Sequence, residues 1–389
     1  MLSNNFLGGM LGGPGSIGGF PWRSPRLRAL ANGRIVTAAI QAEVTANNHY
    51  AADRFAITLA LGSNTFEQAG FWAAQPDIAI EIQFSLNGGA SFQSLIQGAV
   101  DTVMIDIVTG QLRLEGRDLA ARLIEARTQE TFANRTASEI ATLLADRHGL
   151  TPVVSATTTP VGRYYENEHD RITLGQFSRA TTEWDLLVFL AQQEHAEVFV
   201  VGNELHFEVD QNNAGQLSPV QTIRPSDLID LHLERSLTLA RDIEVVVKSW
   251  NSHNQSAFTQ TARASRHKGS GISAAGQGGQ ASTPSQRYVY VRPNLTPDDA
   301  LKLAQQKLAE LTRHERVIEF SMPGELSVTP RSRLALLGTN TEFDQLYHVD
   351  TIDRRLNIET GFTQRIRAKN SSPRGQTTIP ADNVFSVTG

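Results

Sequence analysis

Ile78-Ala79-Ile80-Glu81-Ile82-Gln83-Phe84-Ser85-Leu86-Asn87-Gly88-Gly89 alternates large apolar residues with small or polar ones and then breaks on a turn sequence. Successive side chains of a strand point to opposite faces, so Ile78, Ile80, Ile82, Phe84 and Leu86 predict one buried face, and Ala79, Glu81, Gln83 and Ser85 one wettable face. Asn87-Gly88-Gly89 tolerates the positive φ of a tight reversal, and Phe92 to Val100 returns as the partner strand. A second hairpin rises through Val103, Ile105 and Ile107, turns at Thr109-Gly110-Gln111 and returns through Leu112 and Leu114. Ile35 to Val44 and Phe55 to Leu61 precede these, and together they predict an antiparallel β domain of barrel or sandwich type.

Helical signals follow. Asp118 to Ala126 reads as a short helix leading out of the β domain. Thr136 and Glu139 have capping-box spacing ahead of the stripe Ile140, Leu143, Leu144, and Gly149 closes that helix. Thr182 and Asp185 repeat the spacing, with Trp184, Leu187, Val188 and Ala191 on one face. Short strands Glu197 to Val201 and Glu204 to Val209 then flank Gly202-Asn203. From Ile243 the β character returns, with strands Ile243 to Trp250 and Ser256 to Ala264 joined by a bend at Asn251 to Gln255. Residues 265–286 are Gly, Ser, Ala and Gln with few apolar groups, too little burial to offset the entropy of ordering, and predict a mobile loop. Thr296 as N-cap and Pro297 at the first helical position open a helix over 297–314 with Leu301, Ala304, Leu308 and Leu311 on one face. Strands resume at Val317 to Met322, Arg333 to Leu337, Tyr347 to Leu356 and Phe362 to Ala368. The hairpins of the two β regions have similar lengths, which points to an internal duplication.

Composition narrows the function. The chain has 389 residues, 40% hydrophobic and 19% charged, enough for two or three folded domains. A net charge of -5 supplies no basic field for a phosphate backbone, so stable nucleic-acid binding has no driver. The absence of cysteine removes disulfides, thiolate zinc sites and cysteine nucleophiles together, and fits assembly in a reducing cytoplasm. The glycine-laden start has neither a basic n-region nor a sustained apolar run, which argues against a signal peptide or membrane span and predicts a flexible tail over 1–25.

Chemistry-bearing patterns are few. Gly13-Pro14-Gly15-Ser16-Ile17-Gly18 matches a dinucleotide fingerprint without the strand that must precede it. Glu166, Glu168, His169 and Asp170 could ligate a divalent cation, but charge clusters of this kind are usually solvated loops, here ahead of a strand Arg171 to Leu174. Ser270 sits in the glycine-rich loop rather than at a strand-to-helix elbow, and His148, His195, His206, His232 and His314 show neither ligand nor triad spacing. Trp184 reads as a core anchor. The residues therefore nominate no catalytic, cofactor-binding or metal-binding group.

The stretch Ser178-Arg179-Ala180-Thr181-Thr182-Glu183-Trp184-Asp185-Leu186-Leu187-Val188-Phe189-Leu190-Ala191, followed by Val198-Phe199-Val200 and Glu204-Leu205-His206-Phe207, resembles the late control protein D group of phage tail hub proteins, and with it the N-terminal part of type VI secretion spike proteins. Supporting matches are Thr136 to Leu150, Glu244 to Asn251, Met322-Pro323-Gly324 through Leu336, Tyr347-His348-Val349 and Gly361-Phe362-Thr363, so the likeness spans residues 26 to 370. It implies an α+β, mainly β chain with two tail-tube-like antiparallel β-barrel domains, at 26–117 and 236–370, a mixed α/β insert at 118–235 and a C-terminal tail at 371–389. It further implies a structural, non-enzymatic baseplate hub of a contractile tail, a homotrimer whose pseudo-sixfold ring meets the tail tube protein, the central spike protein and other baseplate proteins. Passing DNA would cross its channel without specific binding, no membrane is involved, and the site of action is the virion tail after assembly in the host cytoplasm. No spike or lysozyme domain is fused to it, and the glycine-rich start and the 265–286 loop have no counterpart in the group. A carbohydrate-binding tail-tip adhesin and a tail-borne cell-wall hydrolase are the alternatives.

Overall fold

The computed structural model describes residues 23–48, 50–128, 132, 135–158, 160–161, 182–194, 196–209, 220–236, 243–251, 256–264, 286–292, 295–312 and 315–370. The expected tails at 1–22 and 371–389, the bulk of the 265–286 loop and the strand Arg171 to Leu174 lie outside these residues. The chain is α+β and mainly β.

The first β region contains β1 (Arg26–Ala31), β2 (Arg34–Val36), β3 (Ala39–Asn47), β4 (Arg54–Ala60), α1 (Ala69–Ala74), β5 (Ala79–Ser85), β6 (Gln93–Asp106) and β7 (Gln111–Asp118). Period-two burial is realised in β5, where Ile80, Ile82 and Phe84 are buried and Glu81 and Gln83 are half-exposed. Two expectations are corrected. The strand expected over Ile35 to Val44 is two strands: β2, folded back on β1 across the positive-φ turn Asn32-Gly33 with Ile35 outside the core, ends at Val36, and a turn at residues 37–38 separates it from β3. The strands expected at 92–100 and 103–107 are one, β6; a bulge between Val100 and Thr102 in its pairing with β7 lets it bend without ending.

The middle of the chain supplies α2 (Ala120–Glu125), β8 (Arg135–Thr136), α3 (Ala137–Arg147), β9 (Thr151–Val154), β10 (Pro160–Val161), α4 (Glu183–Glu194), β11 (Ala196–Val201) and β12 (Glu204–Val209). Both capping pairs form. Thr136 Oγ1 accepts from Glu139 N at 3.3 Å while Glu139 accepts from Thr136 N, and Asp185 N donates to Thr182 Oγ1 at 3.1 Å. Ile140, Leu144, Leu187, Leu190, Leu205 and Phe207 close a core of their own around the sheet β11-β12-β9.

Next come β13 (Val220–Ile223), β14 (Asp230–Arg235), β15 (Ile243–Asn251), β16 (Ser256–Ala264), β17 (Gln286–Val291), α5 (Pro297–Thr312), β18 (Arg316–Pro323), β19 (Arg333–Leu336), β20 (Leu346–Asn357) and β21 (Gly361–Asn370). Gln286, assigned above to the loop, is the first residue of β17 and pairs in parallel with Ile243. α5 packs on β15 and β16 through Ala300 and Ala304, both buried, while Leu301 lies at 36% exposure. Ala304, Leu308 and Leu311 lie on the packed face as expected, and Leu301 alone of the expected stripe turns outward, with Ala300 and Leu303 packed in its stead. β13 and β14 fall within 118–235 in sequence, but they pair with β19 and β18.

A duplication is visible in the strand order. In the first half β3-β4-β7-β6-β5 are successive neighbours; in the second, β14-β18-β21-β20-β19 follow one another in the same way, every pair antiparallel. The halves are not separate sheets. β20 also pairs with β3, Thr351 opposite Asn47 through Leu356 opposite Ala42, which fuses them into one 13-stranded sheet. Leu356 and Phe362 of the second half join the first half's core, where Phe84 meets Phe362 edge-on at 5.0 Å.

Gly98 and Gly116 face the backbone of the opposite strand across the β6–β7 pair, and a Cβ on Gly116 would collide with Ala99 O. Gly116→Ala is therefore expected to cost about 1–3 kcal/mol, seen as a lower urea midpoint with an unchanged slope.

Candidate functional site

Of the chemistry-bearing residues singled out above, only His148, Trp184, His206 and His232 are among the described residues. Glu166, Glu168, His169, Asp170, Ser270, His195, His314 and the Gly13 to Gly18 match lie outside the described residues. Among the described residues no three His, Cys, Asp or Glu side chains are grouped to hold a metal ion, and no helix is long and apolar enough to cross a membrane. His148 ends α3 and meets Glu183 Oε2 at 2.5 Å, with Arg147 on Oε1 at 2.5 Å. Sequence inspection did not pair these residues, although basic groups ending one helix and an acid opening the next is a legible dipole pattern. His206 lies between Glu204 and Glu208 and stacks on Phe199 at 4.6 Å.

The 13-stranded sheet itself is two-faced. One side is the apolar core. The other carries paired charges: Arg113 with Glu43 of β3 and with Glu115 along its own strand, Arg117 of β7 with Asp101 of β6 and Glu125 of α2, Arg355 with Glu43 at 2.9 Å, Arg365 with Glu319, and Thr45 donating to Asp353 at 2.6 Å. Opposite charges facing each other across strands stabilise by a few tenths of a kcal/mol per pair, about 0.2–1. Their larger effect is to leave a hydrated face on which few cations stand unopposed.

Where the first half, the second half and the middle domain meet, a cavity of about 300 Å³ is lined by Asp53, Asp118, Trp184, Phe199, Arg331 and Arg354, among others. Trp184 of α4, buried as expected, also reaches across: its Nε1 donates to Tyr50 O at 2.9 Å. The Arg331 guanidinium lies over the Phe199 ring at 3.1 Å, with Glu197 at 3.7 Å from Nε. Arg354 of β20 donates to Val328 O and Glu325 O. Burial pushes the Asp53 carboxyl up to about 6, against the hydrogen bond from Asn47 N and the pull of Arg331 and Arg354. Burial, with the neighbouring Asp53 charge, pushes Asp118 up to about 8. Burial also lowers Arg331, and brings Arg354 down to about 10. Apart from Trp184 these residues carry no sequence signal, because they are far apart in the chain and share no spacing.

Both aspartates hold protons in the fold that the unfolded chain, near 3.8, would release. Their contribution to stability is fully present below pH 3.8 and is lost as pH rises through about 6 and then about 8. The thermal unfolding midpoint is expected to fall between about pH 5 and 8.5, and Asp118→Asn, which keeps the acceptor for Ala120 N, is expected to flatten the upper part of that fall.

With the geometry in place, the chain can be set beside known proteins. No curated protein matches it by sequence. The tail protein from Neisseria meningitidis MC58 superposes with a TM-score of 0.63 at 14% identity, over 89% of this chain and 96% of that one. The 43 kDa tail protein of prophage MuSo2 from Shewanella oneidensis gives 0.63 at 14% identity over 90% and 99%. The E. coli c3393 protein, described as a type VI secretion system component with structural similarity to T4 bacteriophage tail proteins gp27 and gp5, gives 0.51 at 10% identity over 89% and 78%. The fold is thus one found in phage tail proteins. By sequence, residues 73–357, most of the chain, match the family model described as Alg8 N-terminal domain, and the chain belongs to that family.

Proposed function

We propose that this protein is a structural component of a phage-type tail, a hub of the late control protein D kind, which joins a tail tube to a central spike and performs no catalysis. The observation that carries the reading is the duplicated five-strand order fused into one sheet by β20 on β3. One chain then offers two similar tube-like units, so three chains offer six, and a threefold assembly can meet a sixfold tube on one side and a threefold spike on the other. The tail-protein fold over nearly the full length of the Neisseria and Shewanella chains supports it. Each half is taken to form one barrel-like unit of the ring, 26–117 and 236–370, with β13 and β14 of the 118–235 insert completing the second.

In this reading the charged face of the sheet lines the channel. Carboxylates set against Arg113, Arg117, Arg355 and Arg365 leave phosphates fewer of the unopposed cations that counterion release needs, so DNA passes instead of binding.

Two measurements test the proposal. Imaging of tail particles should find three copies at the distal end of the tube; six copies, or a position along the tube, would overturn it. Glu43→Lys with Glu115→Lys should create salt-sensitive DNA binding absent from the parent protein, with affinity falling steeply between low and physiological salt. Peptidoglycan clearing by the purified chain that Glu168→Gln abolishes would favour the hydrolase instead.

A further inference from the structure

The cavity where the first half, the second half and the middle domain meet has the make-up of a ligand site. Its volume of about 300 Å³ lies at the lower end of the range of small-molecule pockets, which favour domain junctions with apolar walls and a few convergent polar groups. Ile96 of β6, Val198 of β11 and Val328, between β18 and β19, supply apolar wall; Arg331, Arg354, Asp53 and Asp118 supply the polar groups.

Both guanidiniums are short of acceptors. Arg354, 5% exposed, donates to Val328 O and Glu325 O from one amino group, while its Nε is buried with no hydrogen-bond partner among the described residues. Arg331 Nε is buried in the same condition: Glu197 stands 3.7 Å away, beyond hydrogen-bond distance, and the guanidinium lies over the Phe199 ring. A buried donor on a charged group is costly to leave unmade, and an anionic acceptor removes that cost. The cavity's own carboxyls are engaged elsewhere. Asp53 Oδ1 accepts from Asn47 N and Nδ2 at 2.9 and 3.0 Å, and Asp118 Oδ1 accepts from Ala120 N at 3.1 Å.

We propose that this cavity binds a small monocarboxylate, its oxygens set against Arg331 and Arg354 and its apolar stem against Ile96, Val198 and Val328. A single negative charge suits a site where two cations already face one ionised acid, and the apolar wall distinguishes a carboxylate with a hydrocarbon stem from phosphate. Binding is linked to protons. Within the cavity the charged groups are Arg331, Arg354, Asp53 and Asp118; Glu197 and Glu208 act on Arg331, Glu325 on Arg354 and Arg117 on Asp118. Asp53, which burial brings up to about 6, is pushed higher still by an incoming anion, so the complex takes up a proton. Affinity therefore falls by up to about tenfold per pH unit above about 6, and falls further as Asp118 ionises near 8. The site is independent of the hub reading, and where the protein sits in a tail decides nothing about it.

Calorimetric titration of the full chain with butyrate, butyramide, inorganic phosphate and a blocked tripeptide with a central glutamate, at about pH 5.5 and about pH 7.5, tests the proposal. Butyrate or the tripeptide should bind, more tightly at the lower pH, and butyramide should not; the tighter of the two carboxylates tells whether the group arrives free or on the side chain of another protein. Asp53→Asn, which keeps an acceptor for Asn47 N, should bind butyrate with no proton uptake and a flatter pH dependence. Arg331→Met, at a side chain 30% exposed, should keep the circular dichroism of the parent and weaken butyrate by about tenfold or more. Butyrate and butyramide bound alike, phosphate bound in place of both carboxylates, or butyrate affinity unchanged in Arg331→Met overturns the site. So does a parent protein that binds neither carboxylate at either pH.

Discussion

Backbone amides along a sheet border need partners, and in this chain the longest border of the first half finds them on the second. β20 laid along β3 satisfies those groups over six residue pairs, and the rest of the molecule is arranged around that seam. It carries Leu356 and Phe362 into the first core, sets Arg355 against Glu43 and Asp353 against Thr45 on the wet side, and delivers Arg354 to the cavity beneath. Two halves that could each close alone are thereby one cooperative unit. The bulge in β20 is what permits it, because one strand serves two neighbours in succession.

The middle domain is tied to that unit by few but costly contacts. The Trp184 hydrogen bond to Tyr50 O and the Arg331–Phe199 stack set buried polar and cationic groups against defined partners across the junction. Burial raises both carboxyls, and at neutral pH it holds the proton on Asp118, so that Asp53 and Asp118 do not face each other as two like charges in a confined space. Such a junction favours a fixed disposition over maximal stability, as the proposed structural role would require.

The wet face of the sheet matters for the same reason. In the proposed channel role the wall would have to be polar enough to stay hydrated without holding phosphate. Cross-strand pairing of Arg113, Arg355 and Arg365 with carboxylates would meet both demands locally, with no need for a strongly acidic chain.

Local order was written in the sequence wherever neighbours decide it. The alternation in β5, the capping residues of α3 and α4 and the proline opening α5 were each readable, because strand period and helix caps depend on residues within one or two turns. Errors came where a partner strand decides instead: β2 and β3 were merged, β6 was divided at its bulge, and β13 and β14 were not foreseen as strands of the second half. The cavity with Asp53, Asp118, Arg331 and Arg354 had no sequence trace, since those residues converge only when three parts of the chain fold together. Hairpin, helix and turn were thus settled by sequence through short-range sterics and hydrogen bonding. Which strand lies beside which, and therefore the seam and the charged face, was decided by tertiary structure, because edge pairing is a contest between segments hundreds of residues apart that no local pattern records.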